Sequence, residues 1–452
     1  MTDGPDEQDL ALALSGGGHR ATLFGLGALL YLVDAGQGPR LGSIASISGG
    51  SLTNGYIGLH CDLTTASPEE VRRHAAALAH QVARRGTLWA APLTWAFCAL
   101  VVVLPILAGL LTWRLGSAWG WLIWAVTLLV DGWLAQQRSW VGRKAFERTL
   151  FHRARLDAVH PAVDHVICST DLQTHELAYF SSRFVTSWRL GWGRPGSLGL
   201  AHAVQASAAL PGAFSAVRIP VARFGFPDPD PVVRSFLLSD GGVYDNMGDQ
   251  WAGAGSRRAT GTNVPDPPPH VARQLIVANA SAGQQVTPRL RVRTPLLGEV
   301  ATLMAVKDVL YDQTTAVRRR LLDLRFRVVR STDADTRRLG LEGTLVQIDR
   351  TPYDIPEDFV GTDAIGLRAR AVLDGLVAHA AGGGGDRAWW EAEAEANRSV
   401  KTALSKVPTE RAASLLLQAY VVAMANAHVL LDLPLLPIPT LDEMIDLVRA
   451  PG

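Results

Sequence analysis

The stretch "LALSGGGHRATLFGLGALLYL", Leu12 to Leu32, sets three glycines and an arginine between two apolar runs. With Leu10 and Ala11 ahead of it, the first run reads "LALAL", a short strand of the kind buried on both faces of a parallel sheet. Thr22 to Asp34 has the length and composition of a helix. A bare turn between the two needs one glycine. Three in succession line up backbone N–H groups at a helix N-terminus, where negative charge is stabilised. Strand, glycine loop and helix in that order open an α/β domain.

Working outward, "SIASI" (Ser43 to Ile47), "HVICSTDL" (His165 to Leu172), "SFLLSD" (Ser235 to Asp240) and "RQLIVANAS" (Arg273 to Ser281) are further short apolar runs. Each ends in small or polar residues, and helical stretches such as Ala305 to Phe326 lie between several of them. The pattern predicts an α/β fold, a mainly parallel sheet flanked by helices. "PDPDP" (Pro227 to Pro231), "VPDPPPH" (Val264 to His270) and "AGGGGD" (Ala381 to Asp386) read as loops or linkers.

The 452 residues carry 43 basic and 42 acidic side chains, a net charge of +1, so no basic field points to nucleic acid. Cys61, Cys98 and Cys168 are odd in number and widely spaced, which suits a reducing compartment rather than a disulfide framework or zinc site. The polar, acidic "MTDGPDEQD" argues against a cleavable secretory signal. Hydrophobic content of 48% therefore has a local cause.

That cause lies between Gly86 and Leu134. Gly86 to Trp113 holds no charged residue, and a bilayer core needs about 20 apolar residues as helix. After Arg114, Ser117 to Leu134 would form the return leg of a hairpin, with Asp131 near its end. Tryptophans crowd the segment, and several stand near its ends as interfacial belts do. Arg72, Arg73, Arg84 and Arg85 precede it, and Arg138, Arg143, Lys144 and Arg148 follow. The positive-inside rule then places both flanks on the cytoplasmic side of an inner or plasma membrane. The competing expectation is two apolar helices packed on the domain or lying in the membrane surface. Ala412 to Leu431 is a second long uncharged run, but its Ser414, Gln418, Asn426 and His428 favour a buried C-terminal helix.

Three strand ends share a design. "SIASISGGSLTNGYIG" (Ser43 to Gly58) follows a strand with a serine on a glycine-rich turn, the form of a nucleophile elbow. Ser48 has Gly50 two positions after it, and Ser51 has Gly49 two before. The reading favours Ser48, which stands where the strand stops, over Ser51, already in the first helical turn. Attack by a serine on an ester creates an oxyanion, and Gly16, Gly17 and Gly18 can supply N–H donors to it. Arg20 could hold a substrate phosphate, brace the loop, or be a surface arginine paired with a carboxylate. The serine needs a base. No histidine has suitable company: His19 points away from the hole and His60 belongs to the helix after the elbow. Asp240, at the head of "SDGGVYDNMG" (Ser239 to Gly248), is the better candidate, although Asp-Gly-Gly is also an ordinary turn.

Taken in order, "SGGGHR" (Ser15 to Arg20), "SISGGS" (Ser46 to Ser51), "ASAALPGAF" (Ala206 to Phe214) and "SDGGVYDNMG" resemble the patatin-like phospholipase family, over about Asp9 to Gly248. The resemblance implies a three-layer α/β/α fold and a Ser48–Asp240 dyad without histidine. It also implies the glycine loop as oxyanion hole and a fatty-acyl ester of a glycerolipid as substrate. Asp245 and Asn246 take structural roles in it, and "ASAALPGAF" a helix and turn along the acyl groove. Ser46 stands where the elbow usually has its first glycine, and Ala21 where the family often has another.

The expected organisation is residues 1–87 as the first part of the α/β domain, 88–140 as the hairpin, 141–350 as the second part and 351–452 as a mostly helical extension. The expected activity is that of a membrane-anchored serine acyl hydrolase with no metal or cofactor. An acyltransferase using the same dyad and a non-catalytic scaffold are the alternatives. A nucleotide site is disfavoured, because the glycine loop lacks the G-K-[ST] ending of a P-loop.

Overall fold

Leu10, Leu12 and Leu14 point to one face of strand β1 (Leu10–Leu14), and Ala11 and Ala13 to the other. The leucines enter the large core under the helices of the first face, while the alanines leave room for a long helix on the second. The structure, a computed structural model, describes residues 8–255, 263–281, 295–331 and 333–450.

After β1 come α1 (Gly18–Asp34), β2 (Leu41–Ile47), α2 (Gly49–His60) and α3 (Pro68–Arg84). The apolar pair α4 (Pro92–Leu115) and α5 (Ser117–Gln136) follows, then α6 (Arg138–Phe146). The chain returns to the sheet through β3 (Asp164–Asp171), β4 (Glu176–Phe180), β5 (Val185–Ser187) and β6 (Gly191–Gly193). Next are α7 (Leu200–Ser207), β7 (Val217–Pro220), β8 (Ser235–Asp240), β9 (Gln274–Asn279), α8 (Pro295–Val328), α9 (Ala334–Arg337) and β10 (Glu342–Gln347). The C-terminal helices are α10 (Asp354–Asp358), α11 (Ala364–Ala381), α12 (Arg387–Arg398), α13 (Thr409–Leu431) and α14 (Leu441–Arg449).

The sheet runs β10-β9-β1-β2-β3-β4-β5-β6, and its half from β10 to β3 is parallel. Beyond β3 the pairings are antiparallel, a part of the mixed sheet that the apolar runs did not announce. From β1 the chain moves one way to β2 through α1, and from β9 the other way to β10 through α8. Right-handed crossovers in opposite directions put those helices on opposite faces and leave a crevice at the strand ends between them. The first core gathers α1, α2, α3, α7 and α13; Leu322 and Phe326 of α8 cover Ala11, Ala13, Leu275 and Val277 on the other side.

α13 is part of that first core. An added Cβ on Gly27 of α1 would lie 2.3 Å from the Leu416 carbonyl oxygen, so the two helices pack backbone to backbone. Its apolar window is 89% buried, and its polar side chains find partners: Gln418 Nε2 donates to the Ile348 carbonyl at 2.8 Å. α4 and α5 behave oppositely. Both are long and apolar enough to cross a bilayer, and only 11% of either window is buried. Trp95, Val102, Ile106, Leu110, Leu128 and Leu129 face outward, so the pair is not packed onto the domain. At 1.5 Å per residue α4 is about 36 Å long, enough for a hydrocarbon core of about 30 Å.

Candidate active site

Ser48, between the end of β2 and the start of α2, has a conformation a serine seldom adopts, with φ 48° and ψ −114°. That backbone is pinned: its N–H donates to Ser207 Oγ at 2.9 Å, and Ser207 donates to the Cys168 carbonyl at 2.6 Å. The flanking Ile47 and Gly49 are buried while Ser48 is half-buried. Ser51 is wholly buried, with its Oγ 2.9 Å from Ser207 Oγ and 3.1 Å from Ser46 Oγ. Ser46 stands in the usual glycine position because its side chain is used below the turn, donating to the Val166 carbonyl and accepting from Asn54 Nδ2 at 2.8 Å.

Asp240 reaches the same place from the opposite direction. β2 runs along one edge of β3 until Ile47 pairs with Cys168. β8 takes over that edge antiparallel, with Asp240 paired to Ser169, the next residue of β3. The two strands therefore meet end to end, and their C-terminal residues are neighbours along one strand edge. An added Cβ on Gly241 would touch both the Cys168 carbonyl oxygen (2.6 Å) and Ile47 Cδ1 (2.8 Å). Asp240 is 2% exposed; its N–H donates to the Ala209 carbonyl at 3.0 Å, and one carboxylate oxygen accepts the Gly242 N–H at 2.8 Å. Ala209 lies in the turn after α7, so the "ASAALPGAF" block fixes both residues: Ser207 holds Ser48, and Ala209 holds Asp240.

The glycine loop closes over this junction. A Cβ on Gly16 would fall 3.4 Å from Ser48 Cβ and 2.3 Å from Asn246 Oδ1, and a Cβ on Gly242 would fall 2.6 Å from the same oxygen. Gly49 supports the loop from below; its added Cβ would lie 2.0 Å from the Gly18 carbonyl oxygen. Gly16 already donates its N–H to the Asn246 carbonyl at 2.9 Å, which takes it out of the expected donor set. The N–H groups of Gly17, Gly18 and Gly49 have no acceptor among the described residues, and they stand at the N-termini of α1 and α2.

Of the three roles expected for Arg20, the structure displays the bracing one. Arg20 is 4% exposed, and its guanidinium donates Nε to the Ala280 carbonyl at 2.9 Å and Nη1 to the Val400 carbonyl. Burial lowers its pKa to about 10. Arg20 ties α1 to the end of β9 and to the segment after α12, so it braces the loop and makes no surface ion pair among the described residues.

Asp245, named by its motif, and residues that no local motif disclosed complete the surroundings. Asp245 accepts N–H groups from Met247, Gly248 and Gln250, and Arg318 of α8 pairs with Asp245 (3.2 Å) and Asp249 (3.0 Å). Burial and the Asp245 charge raise Asp249 to about 7. Tyr311, two turns earlier on α8, stands over Gly242; burial and the Asp240 charge push its hydroxyl pKa up. Ser207 could have been suspected from its block. Arg318 and Tyr311 lie far along the chain in a charged helix with no such signal.

The patatin-like phospholipase family model matches residues 12–248, from the glycine loop through the Asp240 turn. Human GIVD cytosolic phospholipase A2 aligns with a TM-score of 0.36 at 11% identity, over 61% of this chain and 43% of that one. VipD from Legionella pneumophila aligns with a TM-score of 0.26 at 12% identity, over 99% and 91%. The chain thus spans less than half the length of the human structure, and no curated protein matches it. With more than half of its 452 residues matched, the chain belongs to the patatin-like phospholipase family of lipid hydrolases.

Proposed function

We propose that the chain is a membrane-seated serine acyl hydrolase that cleaves fatty-acyl esters of glycerolipids. Ser48 is the nucleophile and Asp240 its base. Asp240 takes the Ser48 proton as Oγ attacks the acyl carbonyl, and the proton passes to the departing alcohol. Water then attacks the acyl-enzyme, again with Asp240 as base, and a fatty acid leaves. A carboxylate is a weak base in water, and the burial of Asp240 is what suits it to the task. The negative oxygen of each tetrahedral intermediate is received by the N–H groups of Gly17, Gly18 and Gly49, aided by the N-terminal ends of α1 and α2.

The observation that carries this reading is the end-to-end meeting of β2 and β8 on one edge of β3, beneath the glycine loop. The α4–α5 pair supports the membrane seat: it crosses the bilayer and returns, with the arginine-rich flanks and the catalytic domain on the cytoplasmic side. Lipid extracts of cells expressing the wild type or Ser48→Ala, compared by mass spectrometry, test the activity. Free fatty acid and deacylated glycerolipid should rise only with the wild type. Acyl groups recovered on another lipid would replace hydrolysis by transfer, and identical extracts would refute turnover.

A further inference from the structure

The apolar hairpin joins the body beside the glycine loop, and one hydrogen-bonded link ties the two. His19, directly after the three glycines, is wholly enclosed. Its Nδ1 lies 2.6 Å from the Ser405 carbonyl oxygen and its Nε2 2.9 Å from Thr87 Oγ1. A carbonyl can only accept, so Nδ1 carries the proton, Nε2 is the acceptor, and the Thr87 hydroxyl donates to it. Burial keeps the ring neutral, with its pKa lowered to about 4.

Thr87 is the foot of the hairpin. Its own N–H donates to the Leu404 carbonyl at 3.4 Å, and α4 begins five residues later. The segment that accepts from His19 also presses on the loop: the His19 N–H donates to the Ala403 carbonyl at 2.9 Å, and a Cβ on Gly18 would lie 2.5 Å from that oxygen. The return leg lands on the other wall of the site. Arg138 Nη1 donates to the Gly212 carbonyl at 2.7 Å, and Ser215 Oγ to the Gln136 carbonyl at 2.7 Å, in the turn that follows Ala209.

We infer that the hairpin does more than anchor the chain: through Thr87 and His19 its outgoing foot positions the Gly17–Gly18 donors over Ser48. This rests on the catalytic reading above. Thr87 and His19 are positioning residues, since neither reaches the reacting atoms. Oxyanion donors act only when aimed at the position of the charge, so a loosened loop weakens the transition state while leaving ground-state binding nearly intact.

The test is steady-state hydrolysis of p-nitrophenyl butyrate by the full chain in detergent, with active sites titrated by a fluorophosphonate so that misfolded protein is not counted. Thr87→Val keeps the shape and removes the donor; kcat per titrated site should fall about tenfold with KM unchanged. Thr87→Ser, which restores the hydroxyl, should recover most of it. Wild-type kcat in Thr87→Val, or Thr87→Ser no better than Thr87→Val, overturns the inference even if the protein has lost thermal stability. If the wild type itself shows no Ser48-dependent hydrolysis, the catalytic reading falls and takes this inference with it.

Discussion

Gly49→Ala is the substitution whose outcome the geometry determines most fully. The new Cβ would sit 2.0 Å from the Gly18 carbonyl oxygen, 2.7 Å from its carbonyl carbon and 2.8 Å from its nitrogen. A comfortable carbon–oxygen contact is about 3.3 Å, so the glycine loop and the start of α2 must separate by roughly 1.3 Å. All three contacts are backbone, and no rotamer can relieve them. Alanine's better helix propensity returns up to about 1 kcal/mol, against an overpacking cost of about 1–3 kcal/mol. The net loss of stability is small enough for the protein to fold. Activity is the larger casualty, because displacement of a catalytic group by about 1 Å costs about a hundredfold in rate. The assay is kcat on p-nitrophenyl butyrate per titrated site. Gly109→Ala in α4, where an added Cβ meets nothing within 4 Å, serves as the control and should match the wild type. A Gly49→Ala protein that keeps more than half of the wild-type kcat would show that the glycine loop is not the oxyanion site.

Arg20→Met should lower stability by about 1–3 kcal/mol, since two buried carbonyls lose their donor, and should reduce kcat about tenfold through the loop it braces. The headgroup profile of the products should not change; a KM effect confined to phosphate-bearing lipids would return Arg20 to the substrate. Stability should also fall on acidification. Burial lowers His19 and His202 to about 4 and His165 to about 3, so below pH 6.5 the unfolded chain takes up protons that the folded one refuses. Their contribution is complete above pH 6.5 and is lost as pH falls toward 4 for His19 and His202 and toward 3 for His165, on the order of 3 kcal/mol for His19 alone. Asp249, raised to about 7 from 3.8, has the opposite sign and favours the fold as pH drops through the same window. Thermal midpoints measured from pH 7 to pH 4.5 should therefore fall, and fall more steeply in Asp249→Asn. A flat profile would contradict the burial of the histidines.

The sequence discloses what short-range chemistry dictates. The alternation of Leu10 to Leu14, the glycines where strands stop and the serine after "IASI" are each visible within about ten residues, and they locate β1, β2, β8 and the loops above them. The long apolar runs of α4 and α5, broken only by Arg114 and Asp131 near their ends, are legible for the same reason. Less visible is whatever depends on distant partners. The sequence leaves Arg20 open between phosphate ligand, loop brace and surface ion pair, because the carbonyls of Ala280 and Val400 that it donates to lie more than 250 residues away. Gly16 reads as a donor until Asn246 accepts its N–H. β5 and β6 are three residues each, too short for any periodicity, and β10 carries no motif. α8 begins ten residues before its expected start, and nothing local announces that Tyr311 and Arg318 lie over the Asp240 turn.

The chemistry assigned to Ser48 has one direct test. Treating the purified full chain with a fluorophosphonate and mapping the adduct by peptide mass spectrometry should give a single modified residue, Ser48. The adduct should vanish in Ser48→Ala and persist in Ser51→Ala. An adduct on Ser51, or labelling that survives Ser48→Ala, would contradict the account.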